Sequence, residues 1–241
     1  MNRAIHVFDS KQQLVEACAE KILEIVTVAT TERRRCSLAL AGGSTPRDVY
    51  ALLATEKYRR RVEWSKLFLF WGDERTVPPD HLDSNFRMAS ESLLSHIAIP
   101  PANIFRMKGE IVPSTAAIEY EKQLEIFFGE KIPQFDLILL GLGDDGHTAS
   151  LFPGTNALDE TQRWVISVFV PKFNTHRITL TLPVTNNSRQ VMFIVSGRSK
   201  SQIVPGVLKS KQPTKELPAT LVQPQNGKLD WMLDAEAGAL L

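Results

Sequence analysis

Short apolar runs alternate along this chain with segments in which apolar residues recur every three or four positions. Such runs predict strands buried on both faces, and the recurring spacing predicts amphipathic helices. Alternation of strands and helices predicts an α/β fold, a mostly parallel sheet with helices on both faces. The predicted strands cover residues 4–8, 38–41, 67–71, 137–140, 164–170, 178–182, 189–195 and 229–233.

Polar residues mark the expected starts of several helices. Ser10 followed by Gln13 matches a capping box, in which each side chain bonds a free backbone N–H group. Thr45 before Pro46 predicts an N-cap followed by proline in the first helical position. Ser114 is the expected cap of a helix that ends near residue 127.

Length and composition are those of one ordinary globular domain, which we expect to span residues 1–241. Apolar residues make up 43% and charged residues 23%, and the net charge of +1 offers no basic excess for nucleic acid. We find no apolar stretch long enough to cross a membrane, we expect no signal peptide, and the two cysteines lack metal-site spacing. We therefore expect a cytoplasmic protein, and we expect it to be a monomer.

Four predicted strands are followed by polar segments that contain glycine. Parallel strands place their carboxyl ends on the same edge of a sheet, where α/β proteins bind ligands. The four segments should therefore share one rim, and this convergence favours a site more strongly than any one motif. They are residues 42–45, 72–75, 143–147 and 197–200.

The segment after the strand at 137–140 reads Gly-Leu-Gly-Asp-Asp-Gly-His and carries the strongest chemical signal. Its spacing also fits the dinucleotide fingerprint G-x-G-x-x-G, but Asp144 and Asp145 would oppose a pyrophosphate. His147 titrates near neutral pH and is suited to take a proton. Asp144, Asp145 and His147 lack obvious further metal ligands, so we expect no metal.

Two of the other segments allow two interpretations each. Gly43, Ser44 and Thr45 lie before a helix and form either an anion cradle or a tight turn with an ordinary cap. No lysine follows them as in a nucleotide-binding P-loop. Asp73 and Arg75 belong either to a site or to a surface ion-pair cluster of little energetic value.

Together the rim segments and a nearby strand supply an anion cradle, cations, carboxylates and one histidine. A phosphorylated small molecule matches this inventory. The residues are Gly43, Ser44, Thr45, Arg75, Arg177, Lys200, Asp73, Asp145 and His147.

Five segments, in order along nearly the whole chain, resemble the 6-phosphogluconolactonase family. The block from Gly141 to Pro153 is the most specific. The resemblance implies a Rossmann-like fold and hydrolysis of 6-phospho-D-glucono-1,5-lactone to 6-phosphogluconate, in the oxidative pentose phosphate pathway, without a cofactor. The segments are LAGGSTP at 40–46, WGDER at 71–75, SNFR at 84–87, GLGDDGHTASLFP at 141–153 and RITL at 177–180.

The resemblance also implies roles for individual residues. His147 would be the base that activates water, with Asp145 orienting it and Asp73 nearby. Phosphate ligands would be Ser44, Thr45, Arg177 and Lys200, beside the turn at Gly43, and Arg75 would face the sugar acid or the phosphate. The expected partner is thus a phosphorylated sugar lactone.

Two alternatives remain at this point. The glucosamine-6-phosphate deaminase family shares the fold and much of the rim, but it carries a glutamate five residues beyond the histidine. Phe152 occupies that position here and cannot transfer a proton. A non-catalytic sugar-phosphate sensor is the second alternative, although a sensor needs the cradle and not the base.

Overall fold

The computed structural model describes residues 2–241, which form nine strands and seven α-helices. The strands are β1 Asn2–Phe8, β2 Cys36–Leu40, β3 Leu67–Trp71, β4 Asp73–Arg75, β5 Leu137–Leu140, β6 Val165–Val170, β7 Thr175–Leu180, β8 Gln190–Val195 and β9 Lys228–Asp234. The helices are α1 Lys11–Arg33, α2 Ser44–Ala54, α3 Glu56–Arg59, α4 Asn85–Ser92, α5 Pro113–Phe128, α6 Leu182–Asn186 and α7 Ile203–Leu208.

Six strands form the main sheet, in the order β1-β9-β8-β5-β2-β3. Every neighbouring pair in it is parallel. This confirms the predicted α/β class with a mostly parallel sheet. All carboxyl ends of its strands consequently lie at one edge.

Successive residues of the central strands pack on opposite faces of the sheet. Leu137 and Leu139 belong to a core cluster with residues of α1 and α2, whereas Ile138 and Leu140 belong to a cluster with residues of α5 and α7. Side chains in a strand alternate between faces, so both faces must be covered by helices. The continuous apolar run in the sequence is explained by this double burial.

The second sheet was not predicted. It is antiparallel, has the order β4-β7-β6, and contains the strands that we expected at 164–170 and 178–182. Only the turn Pro171–Phe173 and Asn174 connect β6 to β7. A parallel connection needs a crossover of a dozen residues or more, so a link this short enforces a hairpin.

Two helices start two residues earlier than predicted, and one predicted start is confirmed. The second helix begins at Ser44 with Gly43 as N-cap, because the φ of +104° at Gly43 already turns the chain there. The helix α5 begins at Pro113, a favourable first residue, ahead of Ser114. Ser10 caps α1, accepting a hydrogen bond from the Gln13 N–H group.

Both cysteines are free and fully buried. Burial raises the pKa of the Cys18 thiol to about 12, which leaves it protonated and unreactive. They therefore serve as small apolar core residues, as the sequence predicted. Among residues 2–241, no helix is both long enough and apolar enough to span a membrane.

Candidate active site

A cleft of about 460 Å³ opens at the carboxyl edge of the main sheet. Residues from all four predicted rim segments line it, which supports the convergence expected from parallel strands. Side chains of both signs face the same space. They include Ser44, Thr45, Asp73, Arg75, Asp144, His147, Ser199 and Lys200.

The loop after β5 folds tightly around His147. The carbonyl of His147 accepts a hydrogen bond from the N–H group of Gly143, at 2.8 Å, and Thr148 Oγ1 donates to the carbonyl of Gly141. A Cβ atom at Gly143 would lie 1.9 Å from Nδ1 of His147. Glycine at this position is therefore required by the approach of the imidazole to the backbone.

Asp145 determines which ring nitrogen of His147 carries the hydrogen. Nδ1 of the imidazole hydrogen-bonds to Oδ1 of Asp145, and the same oxygen accepts the backbone N–H of His147 at 3.2 Å. An ionised carboxylate can only accept a hydrogen bond, so Nδ1 carries the hydrogen and Nε2 carries the lone pair. The histidine is thus arranged as a base.

Burial is the largest influence on His147 and lowers the pKa of its imidazole. Asp145 and Asp73 act in the opposite direction, and Lys172 adds to the lowering. Partial burial acts to raise the pKa of Asp145, but hydrogen bonds from Lys172 and His147 outweigh it and bring that pKa to about 2. At neutral pH, a neutral imidazole therefore faces a charged carboxylate.

Phe152 packs against the other side of the imidazole. The two rings stack with centroids 3.9 Å apart and planes inclined by 25°. Phe152 is itself buried in a small apolar cluster between the loop and the second sheet. The side chain that replaces the deaminase glutamate thus excludes water from one face of His147 and offers no proton.

Asp73 is a buried carboxylate held by neutral donors. Ser150 Oγ donates to Asp73 Oδ2 at 2.7 Å, and the Asn85 amide donates to Asp73 Oδ1 at 3.4 Å as well as to the Asp73 backbone carbonyl at 2.9 Å. Ser150 is 1% exposed, and its N–H group bonds to Thr179. Ser150 is therefore a support for Asp73 and is not arranged as a nucleophile.

The interpretation of residues 73–75 as a surface ion-pair cluster is wrong. These residues form β4, and Glu74 is only 2% exposed. Its carboxylate accepts the N–H groups of Asn85, at 2.7 Å, and Phe86, at 2.8 Å, at the start of α4. A carboxylate stabilises the positive end of a helix, so Glu74 fixes α4 against the second sheet.

Two arginines lie side by side on the second sheet. Arg75 of β4 is directly opposite Arg177 of β7, so both side chains leave the same face. Burial, followed by the nearby charge of Arg75, lowers the pKa of Arg177. Within residues 2–241, Arg177 forms no ion pair with a carboxylate. Two close cations without such a partner favour an anion.

At the opposite wall, the start of α2 faces the cleft. No side chain caps this helix, and neither Ser44 nor Thr45 uses its hydroxyl in a hydrogen bond within residues 2–241. The ordinary-cap interpretation is therefore wrong. Free hydroxyls and N–H groups at a positive helix end, with Lys200 in the same cleft, are suited to bind an anion.

Lys172 is a site residue that the sequence did not indicate. Its Nζ atom lies 2.8 Å from Asp144 Oδ1 and 2.9 Å from Asp145 Oδ2. Asp144, Asp145 and His147 offer possible metal ligands within 4.8 Å of one another. Both carboxylates are engaged by Lys172 and Nδ1 by Asp145, so the group is organised as an ion-pair network. That the site needs no metal stays a prediction.

Not every predicted site residue lines the cleft. Asp145 contacts His147 and Lys172, and Arg177 lies next to Arg75; neither is part of the lining. The other predicted residues share the cleft: Gly43, Ser44, Thr45, Asp73, Arg75, His147 and Lys200.

A parallel α/β sheet with an anion cradle, cations and a histidine at its carboxyl edge defines a class of proteins that act on phosphorylated small molecules. The family model described as glucosamine-6-phosphate isomerases/6-phosphogluconolactonase matches residues 9–231. A 6-phosphogluconolactonase of Synechocystis sp. is 42% identical over 238 residues, which cover 97% of this chain and 96% of that protein. The chain belongs to the glucosamine-6-phosphate isomerase/6-phosphogluconolactonase family.

Solved structures agree with this assignment. The 6-phosphogluconolactonase from Trypanosoma cruzi has a TM-score of 0.89 and 32% identity, and the match covers 100% of this chain and 98% of that one. A monomeric glucosamine-6-phosphate deaminase has a TM-score of 0.81 at 19% identity, with complete coverage of both chains. Likeness at that identity shows the common fold alone.

Proposed function

We propose that His147 activates the water with which this lactonase hydrolyses 6-phospho-D-glucono-1,5-lactone to 6-phosphogluconate. The single observation that carries the proposal is the hydrogen bond from Nδ1 of His147 to Asp145, which leaves the Nε2 lone pair available in the cleft. Burial keeps this imidazole neutral near pH 7. A neutral, oriented imidazole is what general base catalysis requires.

The reaction balances with water as the only second reactant. Nε2 of His147 takes one proton from water while the oxygen adds to the lactone carbonyl carbon. The resulting tetrahedral intermediate then breaks its bond to the ring oxygen, and the imidazolium returns the proton to that oxygen. The new carboxylic acid releases the other water proton to solvent and becomes the carboxylate of 6-phosphogluconate. Asp145 stabilises the positive charge that the imidazole carries between these steps. No cofactor takes part.

Phosphate binding is assigned to Ser44, Thr45, Lys200 and Arg177, with Arg75 facing the sugar acid or phosphate. The free hydroxyls at the start of α2, Lys200 in the cleft lining and the adjacent pair Arg75 and Arg177 support this assignment. Anchoring a remote phosphate supplies binding energy that positions the carbonyl over the water. Asp73 is proposed as a second carboxylate near the reacting centre, because it is buried at the cleft wall.

The alternatives are less well supported by the site. Phe152 stacks on His147 where a deaminase would need an ionisable side chain, and a sensor would have no use for the His147–Asp145 pair. The deciding experiment is hydrolysis of freshly generated 6-phosphogluconolactone above its spontaneous rate, run beside glucosamine 6-phosphate. Turnover of the amino sugar alone, or of neither compound, would contradict the proposal.

Replacement of Lys200 by methionine tests the phosphate assignment. Loss of a charge-assisted contact of about 1.5–3 kcal/mol is expected to raise KM for the phosphorylated lactone by about 10- to 100-fold. Hydrolysis of unphosphorylated gluconolactone should hardly change. Steady-state kinetics with both lactones measures the difference.

The matched control is Arg198→Met, which removes a cation from the same short helical turn but not from the cleft lining. It should leave KM for the phosphorylated lactone within about threefold, since exposed charges act weakly through water. An equal loss with both lactones in Lys200→Met would show that Lys200 does not bind phosphate.

A monomeric state and a cytoplasmic location stay predictions. The two buried free cysteines are consistent with a reducing compartment.

A further inference from the structure

The turn Pro171–Phe173 reaches from the second sheet to the loop that carries His147. Its middle residue, Lys172, bonds Asp144 and Asp145 at the same time. The proposed base chemistry gives this lysine no task, since it lies outside the lining of the cleft. Its contact with Asp145, the partner of the base, needs a separate explanation.

We propose that Lys172 is a positioning residue, which holds the Asp145 carboxylate in the orientation that accepts the hydrogen bond from Nδ1 of His147 and offsets the negative charge beside that imidazole. The proposal rests on the proposed function, in which His147 is the base. Each oxygen of Asp145 has its own partner: Oδ1 bonds to His147 and Oδ2 to Lys172. Rotation of the carboxylate would break both contacts, so the lysine limits that rotation.

The contact between Lys172 and Asp144 supports the same role. Asp144 is 69% exposed at its side chain and follows Gly143 directly. Lys172 bonds it at 2.8 Å and so draws Asp144 and Asp145 toward one ammonium group. Without that cation, two adjacent carboxylates would repel each other beside the imidazole.

The charged groups around the imidazole come from several elements, and their signs decide what loss of Lys172 would do. They are Asp144 and Asp145 of the loop, Asp73 and Arg75 of β4, Lys172 of the turn, Arg177 of β7, and Lys200. Of these, Asp145 and Asp73 favour the imidazolium, and Lys172 opposes it. Removing Lys172 therefore favours protonation of the base.

The same turn supports His147 from its other side. Phe173 meets the edge of Phe152, with ring centroids 5.8 Å apart and planes at 79°, and Phe152 stacks on the imidazole. Adjacent residues of one turn thus act on both supports of the base, Lys172 through Asp145 and Phe173 through Phe152. The β6–β7 hairpin therefore helps to hold His147 in position beside the cleft.

The test replaces Lys172 with methionine, which keeps the length of the side chain and removes the charge. NMR titration of the His147 imidazole, assigned by its loss in His147→Asn, should show a pKa raised by about half a unit to one unit. A base must be neutral, so the acid limb of the kcat/KM profile should move to higher pH by the same amount. We expect KM on the alkaline plateau to stay within about twofold.

Two further variants show whether the effect belongs to this contact. Lys172→Arg keeps the charge and should restore the profile of the wild type. Lys66→Met removes a lysine of similar side-chain exposure, which pairs with Glu63 at 2.6 Å just before β3, at the opposite edge of the sheet. It should behave as the wild type, because charges beyond a Debye length are screened.

An imidazole pKa in Lys172→Met equal to that in Lys66→Met, with an unmoved acid limb, would overturn the proposal. Failure of Lys172→Arg to restore the profile would overturn it as well. A wild-type protein without lactonase activity would instead overturn the proposed function. In that case the NMR titration, which needs no turnover, still decides whether Lys172 controls the Asp145–His147 pair.

Discussion

Replacement of His147 by asparagine is expected to lower kcat for 6-phosphogluconolactone hydrolysis by about 100- to 10,000-fold, the range of general base catalysis. Asparagine keeps an N–H group that can bond to Asp145 but has no lone pair in place of Nε2. KM should change by less than about threefold, because the phosphate contacts are untouched. Initial rates on freshly prepared lactone, with the spontaneous rate subtracted, measure the loss.

A matched control for this variant is His96→Asn. His96 is an exposed histidine whose Nε2 lies 3.0 Å from the Glu91 carbonyl, next to α4 and outside the cleft lining. Its replacement should leave kcat unchanged. If His147→Asn keeps the activity of this control while the wild type is a lactonase, the base must be Asp73 or Asp145.

The main sheet and its rim could be predicted because the signals are local. Leu137 and Leu139 alternate with Ile138 and Leu140 in one unbroken apolar run, which is typical of a strand covered on both faces. His147 and Asp145 lie two residues apart on a glycine turn, so their contact needs no knowledge of distant residues. Because both residues follow a parallel strand, the topology also places them at the carboxyl edge of the sheet.

The second sheet could not be predicted in the same way. Val165–Val170 and Thr175–Leu180 are apolar enough to read as further parallel strands, and only the length of the connection between them contradicts this. Arg75 and Arg177 become neighbours through pairing across 102 positions of sequence. Such pairing depends on register, which no local pattern of these short strands specifies.

Lys172 was missed for the same reason. It lies 27 residues beyond Asp145, in the turn of a hairpin whose pairing was not foreseen. A lysine in a turn is usually solvated, so its sequence context favours no special role. Asp73, Arg75 and Arg177 were predicted as site residues, but the contact of Asp73 with Ser150 and the pairing of the two arginines depend on residues distant in sequence and were not.

Replacement of Gly143 by alanine is expected to reduce kcat by about 100-fold or more, close to the loss in His147→Asn. The added methyl carbon would lie 1.9 Å from Nδ1 of His147, far inside van der Waals contact, so the imidazole must leave its position. Its bond to Asp145 and its stacking on Phe152 are then lost together. Kinetics and the imidazole NMR signal report the displacement.

Gly141→Ala is the control for the cost of a methyl group in this loop, because a Cβ atom there meets nothing within 4 Å. We expect it to retain kcat within about threefold and to leave the imidazole signal in place, whatever its methyl group does to KM. Thermal midpoints of both alanine variants show whether each remains folded. A folded Gly143→Ala protein with the kcat of Gly141→Ala would contradict the steric argument.

The double variant Gly143→Ala, His147→Asn separates displacement of the base from general damage to the cleft. If Gly143→Ala acts only by moving His147, the double variant should be no slower than His147→Asn alone, within about threefold. If the two losses in kcat multiply in the double variant, Gly143 must also contribute to the reaction independently of His147, for example through its backbone. Close to complete non-additivity is expected, because His147→Asn has already removed the base whose position the methyl group would disturb.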